Sequence, residues 1–167
     1  MPYRNITYVA FDGDNDIWAY RLMKTWKQND NIDFNFSDAH DLNTARDTSQ
    51  EESIKRQLRE RFKKSKLFIL LVGEHTKNLY KFVRWEIETA TSLNLPIVVV
   101  NLNKRRVCDD SLCPALAKST LAIHVSFERA IIIYSMDNWL KYHEYYKNEG
   151  KNAAYWWKAT IYKELRL

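Results

Sequence analysis

Apolar residues follow two patterns along this chain, short continuous runs and a helical period. The continuous runs at 67–72 and 97–100 predict strands buried on both faces, because a half-exposed strand would alternate apolar and polar positions. The β-rich run 5–11 predicts a first strand, and 34–36 predicts a short second one. Three segments between these runs carry apolar side chains at helical spacing and predict helices: Ala19, Leu22, Met23 and Trp26; Ile54, Leu58 and Phe62; Val83, Ile87 and Ala90.

This alternation of strands and helices predicts an α/β fold, with a mostly parallel sheet covered by helices on both faces. Right-handed crossovers gather the loops that follow the strands at one end of the sheet, so a ligand is expected there. We expect one domain over residues 1–167, with a core at about 5–125 and a C-terminal extension at about 126–167.

The last third of the chain has weaker patterns. Pro114 favours the start of a short helix, and 121–125 is expected to be the last parallel strand. The β-branched run 131–134 favours a further strand, although a helix remains possible. A C-terminal helix is predicted by helical spacing of four apolar residues: Ala154, Trp157, Ile161 and Leu165.

Composition indicates a globular chain: of 167 residues, 46% are hydrophobic and 28% are charged. Apolar runs are too short to cross a bilayer and no leader opens the chain, so we expect a cytoplasmic protein without membrane contact. The net charge of +5 is concentrated at 55–66. Such a run is usually a solvated helix face, and binding of nucleic acid is the least favoured of the functions considered.

Several kinds of catalytic and metal site are excluded or disfavoured. With three glycines in the chain, neither a P-loop nor a GxGxxG dinucleotide motif can be written, and there is no GxSxG or HExxH segment. Cys108 and Cys113 form no CxxC pair and the histidines are scattered, so the sequence predicts free structural thiols and no metal site.

Acidic residues remain as candidates for chemistry. Asp12, Asp14 and Asp16 follow the first strand, while Asp38 and Asp41 follow the second. The first cluster can instead cap a helix. A receiver-type magnesium site is disfavoured because no aspartate follows the third strand.

Glu86 lies early in the third predicted helix. It stands three residues after the core residue Val83, which places it on the shoulder of the buried stripe, partly screened from water. Structural roles remain possible for these residues. Glu86 can pair with a nearby cation such as Arg84. Phe82 and Trp85 can be packing residues rather than ligand contacts.

The segment Phe82–Ile87 resembles the W-V-x-x-E-I segment on the third helix of Toll/interleukin-1 receptor (TIR) domains, and 9–12 resembles the end of their first strand. Phe82 stands where many members have Trp. Within that superfamily the chain is most similar, over about 5–101, to the bacterial TIR-like domains of Thoeris anti-phage systems. The resemblance implies a flavodoxin-like/TIR-like three-layer sandwich.

The resemblance also implies an activity, cleavage of NAD⁺ at the nicotinamide–ribose bond. Glu86 matches the family's essential glutamate and is the catalytic candidate. Residues expected to line the substrate pocket are Phe11, Asp12, Asp38, Phe82 and Trp85. NAD⁺ is then the substrate, no cofactor or metal is expected, and the product is a cyclic ADP-ribose-type signal nucleotide. Implied partners are an effector activated by that nucleotide, a phage-derived trigger and further copies of the chain.

One carboxylate is enough for this chemistry. Nicotinamide leaves a pyridinium as a neutral molecule, so no general acid has to protonate it, in contrast to ordinary glycoside cleavage. A carboxylate in a dry site can stabilise the oxocarbenium-like transition state. The alternative function is a non-catalytic interaction module of the same fold, in which Glu86 is structural.

Overall fold

A computed structural model describes residues 5–29, 35–38, 51–79 and 81–167. For Asn29 and for 35–38 it describes the backbone alone. The sequence also predicts a polar loop at 37–47 and a helix cap at Ser49, but positions 39–47, which include Asp41, and Ser49 lie outside the described residues.

The described elements alternate between strand and helix, as predicted. The first five are β1 (Ile6–Ala10), α1 (Ile17–Asn29), β2 (Asn35–Asp38), α2 (Glu51–Lys64) and β3 (Leu67–Val72). After a 3₁₀ turn at Thr76–Asn78 come α3 (Phe82–Ser92), β4 (Ile97–Asn101), α4 (Ala115–Lys118), β5 (Ala122–Ser126), α5 (Arg129–Asn148), β6 (Ala154–Trp156) and α6 (Ala159–Glu164).

The described strands form one six-stranded sheet in the order β2-β1-β3-β4-β5-β6, and every adjacent pair is parallel. The strand order reverses between β1 and β3, which makes that position the topological switch point where open α/β sheets bind ligands. The register Ala10↔Leu70 and Val72↔Asn101 brings the carboxyl ends of β1, β3 and β4 to one edge.

Helices cover both faces of the sheet, so two hydrophobic cores form. The first core packs α1, α5 and α6 on strand residues such as Val9 and Ile69. The second core packs α2, α3 and α4 on the alternate residues, such as Tyr8 and Phe68. Strands β3 and β4 are buried along their whole length, which explains why their apolar runs are continuous. The predicted α/β sandwich is confirmed.

Three predictions for the last third differ from the structure: the favoured strand at 131–134, the helix expected from about 154 and β5 as the last parallel strand. Residues 131–134 lie in α5, where Ile131, Ile132 and Trp139 pack on the sheet; that packing overrides their β propensity. The expected C-terminal helix begins only at Ala159, because 154–156 instead forms β6.

Strand β6 also means that β5 is not the last parallel strand. Ala122 pairs with Ala154, and the Asn152 side chain accepts a hydrogen bond from the Leu121 N–H at 2.9 Å. Otherwise β5 would present an open edge of unpaired backbone groups. In residues 5–29, 35–38, 51–79 and 81–167, no helix combines the length and apolarity needed to cross a membrane.

Candidate functional site

The turn after β1 is organised by Asp12, whose side chain is 3% exposed. Its Oδ1 accepts hydrogen bonds from the backbone N–H of Asp14 (3.1 Å) and Asn15 (3.3 Å), and its Oδ2 accepts one from Asn15 Nδ2 at 2.7 Å. Of the two roles considered for this acidic cluster, the contacts of Asp12 support the structural one, which is to shape the entry into α1.

Asp16, at the start of α1, is buried against the end of β3. A Cβ at Gly73 would overlap the Asp16 carboxylate, so any larger residue there requires the Asp16 side chain to move. Burial and neighbouring Asp12 raise the pKa of Asp16, while the Thr76 side chain lowers it in part. Its Oδ2 has no hydrogen-bond partner among the described residues.

A cavity of about 380 Å³ opens beside this carboxylate, at the carboxyl ends of β1, β3 and β4. Its wall is formed by Asn15, Asp16, Trp18, Gly73, Glu74, His75, Leu102, Asn103 and Leu112. Asp16 is one of the acidic candidates that the sequence offers after the first strand, but it was not assigned to the substrate pocket; the signal that could have singled it out within the cluster is the glycine directly after a fully apolar strand.

Glu86 is buried, with 2% of its surface exposed, so the predicted position on the shoulder of α3 is wrong. The buried residues of α3 are Val83, Glu86, Ile87 and Ala90, a spacing that puts Glu86 inside the stripe. Its Oε1 accepts a hydrogen bond from the Tyr8 hydroxyl of β1 at 2.7 Å. The spacing to Ala90, four residues on, was a usable sequence signal for this burial.

Aromatic rings pack around Tyr8, the hydrogen-bond partner of Glu86. The Tyr8 ring stacks on Phe62 with centroids 3.8 Å apart, and Trp85 meets Phe62 edge-on at 6.0 Å. Desolvation raises the pKa of Glu86 from 4.5 to about 7, although the Tyr8 hydrogen bond lowers it in part. Glu86 is therefore near half-protonation at neutral pH.

The other predicted site residues are distributed over both faces of the sheet. Phe82 and Trp85 share α3 with Glu86 and pack, partly buried, on the second core. Phe11 stacks on Tyr20 at 4.7 Å in the first core, on the opposite face of the sheet from Glu86. Asp38 ends β2 beside Val9, and its side chain lies outside what the structure describes.

A second cavity, of about 650 Å³, lies between α3 and α4. Its wall includes Val83, Arg84 and Ile87 of α3, with Lys77 and Lys118. Neither this cavity nor the one beside Asp16 has Glu86 in its wall, so a molecule bound in either would not touch the Glu86 carboxylate.

Cys108, Cys113 and His124 meet beneath α4, and their ligand atoms lie within 4.8 Å of one another. Both cysteines are free thiols. The sequence predicted no metal site, because Cys spacing alone gave no ligand pattern and His124 joins the two cysteines only through the pairing of β4 with β5.

Comparison with known proteins identifies the family. Residues 8–107 match the model of the TIR-like domain of the Thoeris protein ThsB. No curated protein matches the chain significantly. The match covers more than half of the 167 residues and includes the carboxyl end of β1, the Glu86 segment and the switch point. The chain belongs to the family of ThsB TIR-like domains, a component of Thoeris anti-phage defence.

Proposed function

We propose that this protein cleaves NAD⁺ at the nicotinamide–ribose bond and produces a cyclic ADP-ribose-type signal nucleotide, with Glu86 as the catalytic residue. One observation carries the proposal: a fully buried carboxyl group on α3, in the segment that resembles the TIR motif, has its pKa raised to about 7. Burial of an ionisable group with little compensation is typical of functional sites.

The ionised form of Glu86 is the active one in this mechanism. As the glycosidic bond breaks, positive charge moves from the pyridinium to the ribose, and a carboxylate in a dry site stabilises that charge more than water would. The Tyr8 hydroxyl orients the carboxylate through Oε1. The cationic substrate itself favours ionisation of Glu86 when it binds.

Access to Glu86 requires rearrangement of the side chains that cover it. Phe82 and Trp85 are partly buried on the same helix, and we assign them to the substrate pocket. Above Trp85 lie two cations of α2, with Lys55 Nζ at 5.8 Å and the Arg59 guanidinium at 5.5 Å from the ring centroid. These cations supply charge complementary to the pyrophosphate of a dinucleotide.

The product depends on which nucleophile meets the ribosyl cation. Water gives ADP-ribose, whereas a hydroxyl or adenine nitrogen of the same molecule gives a cycle, and a cycle requires that water be excluded. We infer that copies of the chain assemble to close the pocket. Specific activity that rises with protein concentration supports this, and a flat dependence contradicts it.

The decisive experiment compares Glu86→Gln with Glu88→Gln. Glu88 lies on the same helix but is exposed and paired with Arg84 at 2.9 Å, which makes it a matched control. Nicotinamide release from NAD⁺ is measured with purified protein and a phage-derived activating extract, and nucleotides from infected cells are identified by mass spectrometry. We expect Glu86→Gln to lose at least about 100-fold in rate and Glu88→Gln to stay near wild type. Wild-type rates in the Glu86→Gln variant contradict the proposal.

The alternative function, a non-catalytic assembly module, is favoured by the hydrogen bond that ties Glu86 to Tyr8 in the second core. The same variant discriminates between the two functions. Gln accepts the Tyr8 hydrogen bond but carries no charge, so a purely structural role survives Glu86→Gln. If Glu86→Gln still protects cells from phage and the wild type releases no nicotinamide, the protein acts as a non-catalytic assembly module. A nucleotide-activated effector, a phage trigger and a cytoplasmic location remain predictions.

A further inference from the structure

The connection between β4 and α4 is held in shape by Asp109. Its Oδ1 accepts hydrogen bonds from the N–H groups of Ser111 (2.9 Å) and Leu112 (2.8 Å), and its Oδ2 accepts one from Asn103 Nδ2 at 2.8 Å. The Cys113 N–H donates to the Asp109 carbonyl at 3.0 Å. The connection is thus pre-ordered before any ligand binds.

This order places two thiols on one side of the second core. Cys113 is 2% exposed, and Cys108 is partly exposed beside it. Burial raises the pKa of both thiols, that of Cys113 to about 12, so both are protonated in the absence of a cation.

His124 faces the same thiols from the middle of β5. It is fully buried, and neither Nδ1 nor Nε2 makes a hydrogen bond of good geometry within the described part of the chain, where the Ala117 backbone approaches the ring. A buried polar atom without a well-made hydrogen bond costs about 1–3 kcal/mol, so a ligand for a ring nitrogen would be stabilising at this strand position. Desolvation lowers the pKa of His124 to about 4, and the nearby Ala117 backbone offsets only part of that. The ring is therefore neutral, the form that ligates metals.

The three side chains come from separate parts of the fold and converge. Their ligand atoms lie within 4.8 Å of one another, and small side-chain rotations bring them to the 2.0–2.3 Å that Zn²⁺ adopts with imidazole and thiolate. Two thiols and an imidazole are soft or borderline donors, which suit Zn²⁺ and disfavour Mg²⁺ and Ca²⁺.

We propose that Cys108, Cys113 and His124 form a zinc site that fastens the β4–α4 connection to β5. Two thiol protons are released on binding, and the exposed side of Cys108 leaves room for a water as the fourth ligand. The site lies outside residues 8–107, the part matched by the ThsB family model, and is independent of NAD⁺ cleavage. It differs from the expectation from the sequence that the chain holds no metal.

The first test is metal binding by the full chain, purified under reducing conditions and stripped with a chelator. Titration with Zn²⁺ is expected to give one bound ion per chain by elemental analysis. Zn²⁺ at about 100 times its Kd should raise Tm by roughly 5–10 °C. Co²⁺ is expected to give a tetrahedral d–d spectrum with a thiolate charge-transfer band. Substoichiometric Zn²⁺ with no Co²⁺ charge-transfer band overturns the proposal.

Variants identify the ligands. Cys108→Ser is the main one, because the partly exposed side chain makes the substitution compatible with folding; it should weaken Zn²⁺ binding at least about 10-fold and reduce the charge-transfer band. His143→Gln is the control, since His143 is also a buried histidine but lies outside the cluster. Equal Zn²⁺ affinity in wild type and Cys108→Ser overturns the proposal, as does a Cys108–Cys113 disulfide in protein isolated without reductant that never takes up Zn²⁺.

Discussion

Two carboxylates, Glu86 and Asp109, are each 2% exposed, yet their electrostatic situations are opposite. Asp109 is buried too, but hydrogen bonds from Asn103 and from two backbone N–H groups, with Arg105 at 3.8 Å, outweigh desolvation and lower its pKa. Glu86 lies deep in the second core with the Tyr8 hydroxyl as its hydrogen-bond donor, and desolvation dominates. Two differences act together: Asp109 has more donors, and it lies nearer the surface than Glu86 although both side chains are covered.

The comparison separates two carboxylates: ionised Asp109 stabilises the native state, whereas ionised Glu86 destabilises it. Asp109 stabilises a loop through its negative charge, whereas the charge of Glu86 is disfavoured where it stands. A carboxyl group whose pKa is shifted towards neutral pH is typical of a catalytic residue. The predictions below test this contrast.

Asp109→Ala is expected to have the largest effect on stability, a loss of about 4 kcal/mol, because it leaves two backbone N–H groups and the Asn103 amide without their acceptor. Urea unfolding measures the loss. Asp109→Asn keeps an acceptor oxygen and should lose about half as much. If Asp109→Ala lowers the free energy of unfolding by less than about 1 kcal/mol, Asp109 does not hold the β4–α4 connection in shape.

Glu86→Gln should stabilise the protein by about 3 kcal/mol at pH 8, because the raised pKa corresponds to about that free energy against ionisation. The protonated form is favoured in the native state, so the contribution of Glu86 is fully present below pH 4.5 and is lost as pH rises through about 7. The advantage of the variant should accordingly vanish near pH 4.5.

Unfolding free energies of Glu86→Gln and wild type across this pH range measure the effect, with Glu88→Gln as a control that shows no such dependence. A stability difference between Glu86→Gln and wild type that does not change with pH would mean that burial does not disfavour the charge of Glu86.

Gly73→Ala extends the comparison to a third buried carboxylate. The new methyl group meets the Asp16 side chain, and we expect a loss of about 2 kcal/mol. Asp16→Ala removes the obstacle, so the double variant should recover at least about 1 kcal/mol relative to additivity. Thermal unfolding of wild type, the two single variants and the double variant gives a double-mutant cycle. Strictly additive losses of stability would contradict the contact between position 73 and Asp16.

Tyr8→Phe should have the smallest effect, a loss of about 1 kcal/mol at low pH. The Tyr8 hydrogen bond lowers the pKa of Glu86, so its removal should move the midpoint of NAD⁺ cleavage to higher pH than in wild type. A pH–rate profile measures this. An unchanged midpoint with normal activity would mean that Tyr8 does not act on the ionisation of Glu86.

The sequence predicted elements with strong periodicity well and failed where long-range pairing decided the outcome. Helices α1, α2 and α3 follow their apolar stripes, and β3 and β4 follow their continuous runs. Residues 131–134, favoured as a strand, are helical because α5 packs on the sheet. Residues 154–156, predicted as helix, form β6 because they pair with β5. Local propensity does not include either contact.

The candidate site divides in the same way. Glu86 could be chosen from the sequence by its motif, and its burial could have been inferred from its spacing to Val83 and Ala90. The Tyr8 hydrogen bond could not, because the two residues are 78 positions apart and meet only when α3 packs on β1. The resemblance groups Phe11 with Glu86, whereas the alternation of side chains along β1 sends Phe11 into the other core.

By itself the sequence determined the α/β class and the family, and it singled out Glu86 as a candidate, because those depend on apolar spacing and on a short contiguous segment. Only the tertiary structure decided the burial of Glu86 beside Tyr8, the hydrogen bonds of Asp12 and the meeting of Cys108, Cys113 and His124. Each of these depends on which groups surround a side chain in space, and packing of distant segments sets those neighbours.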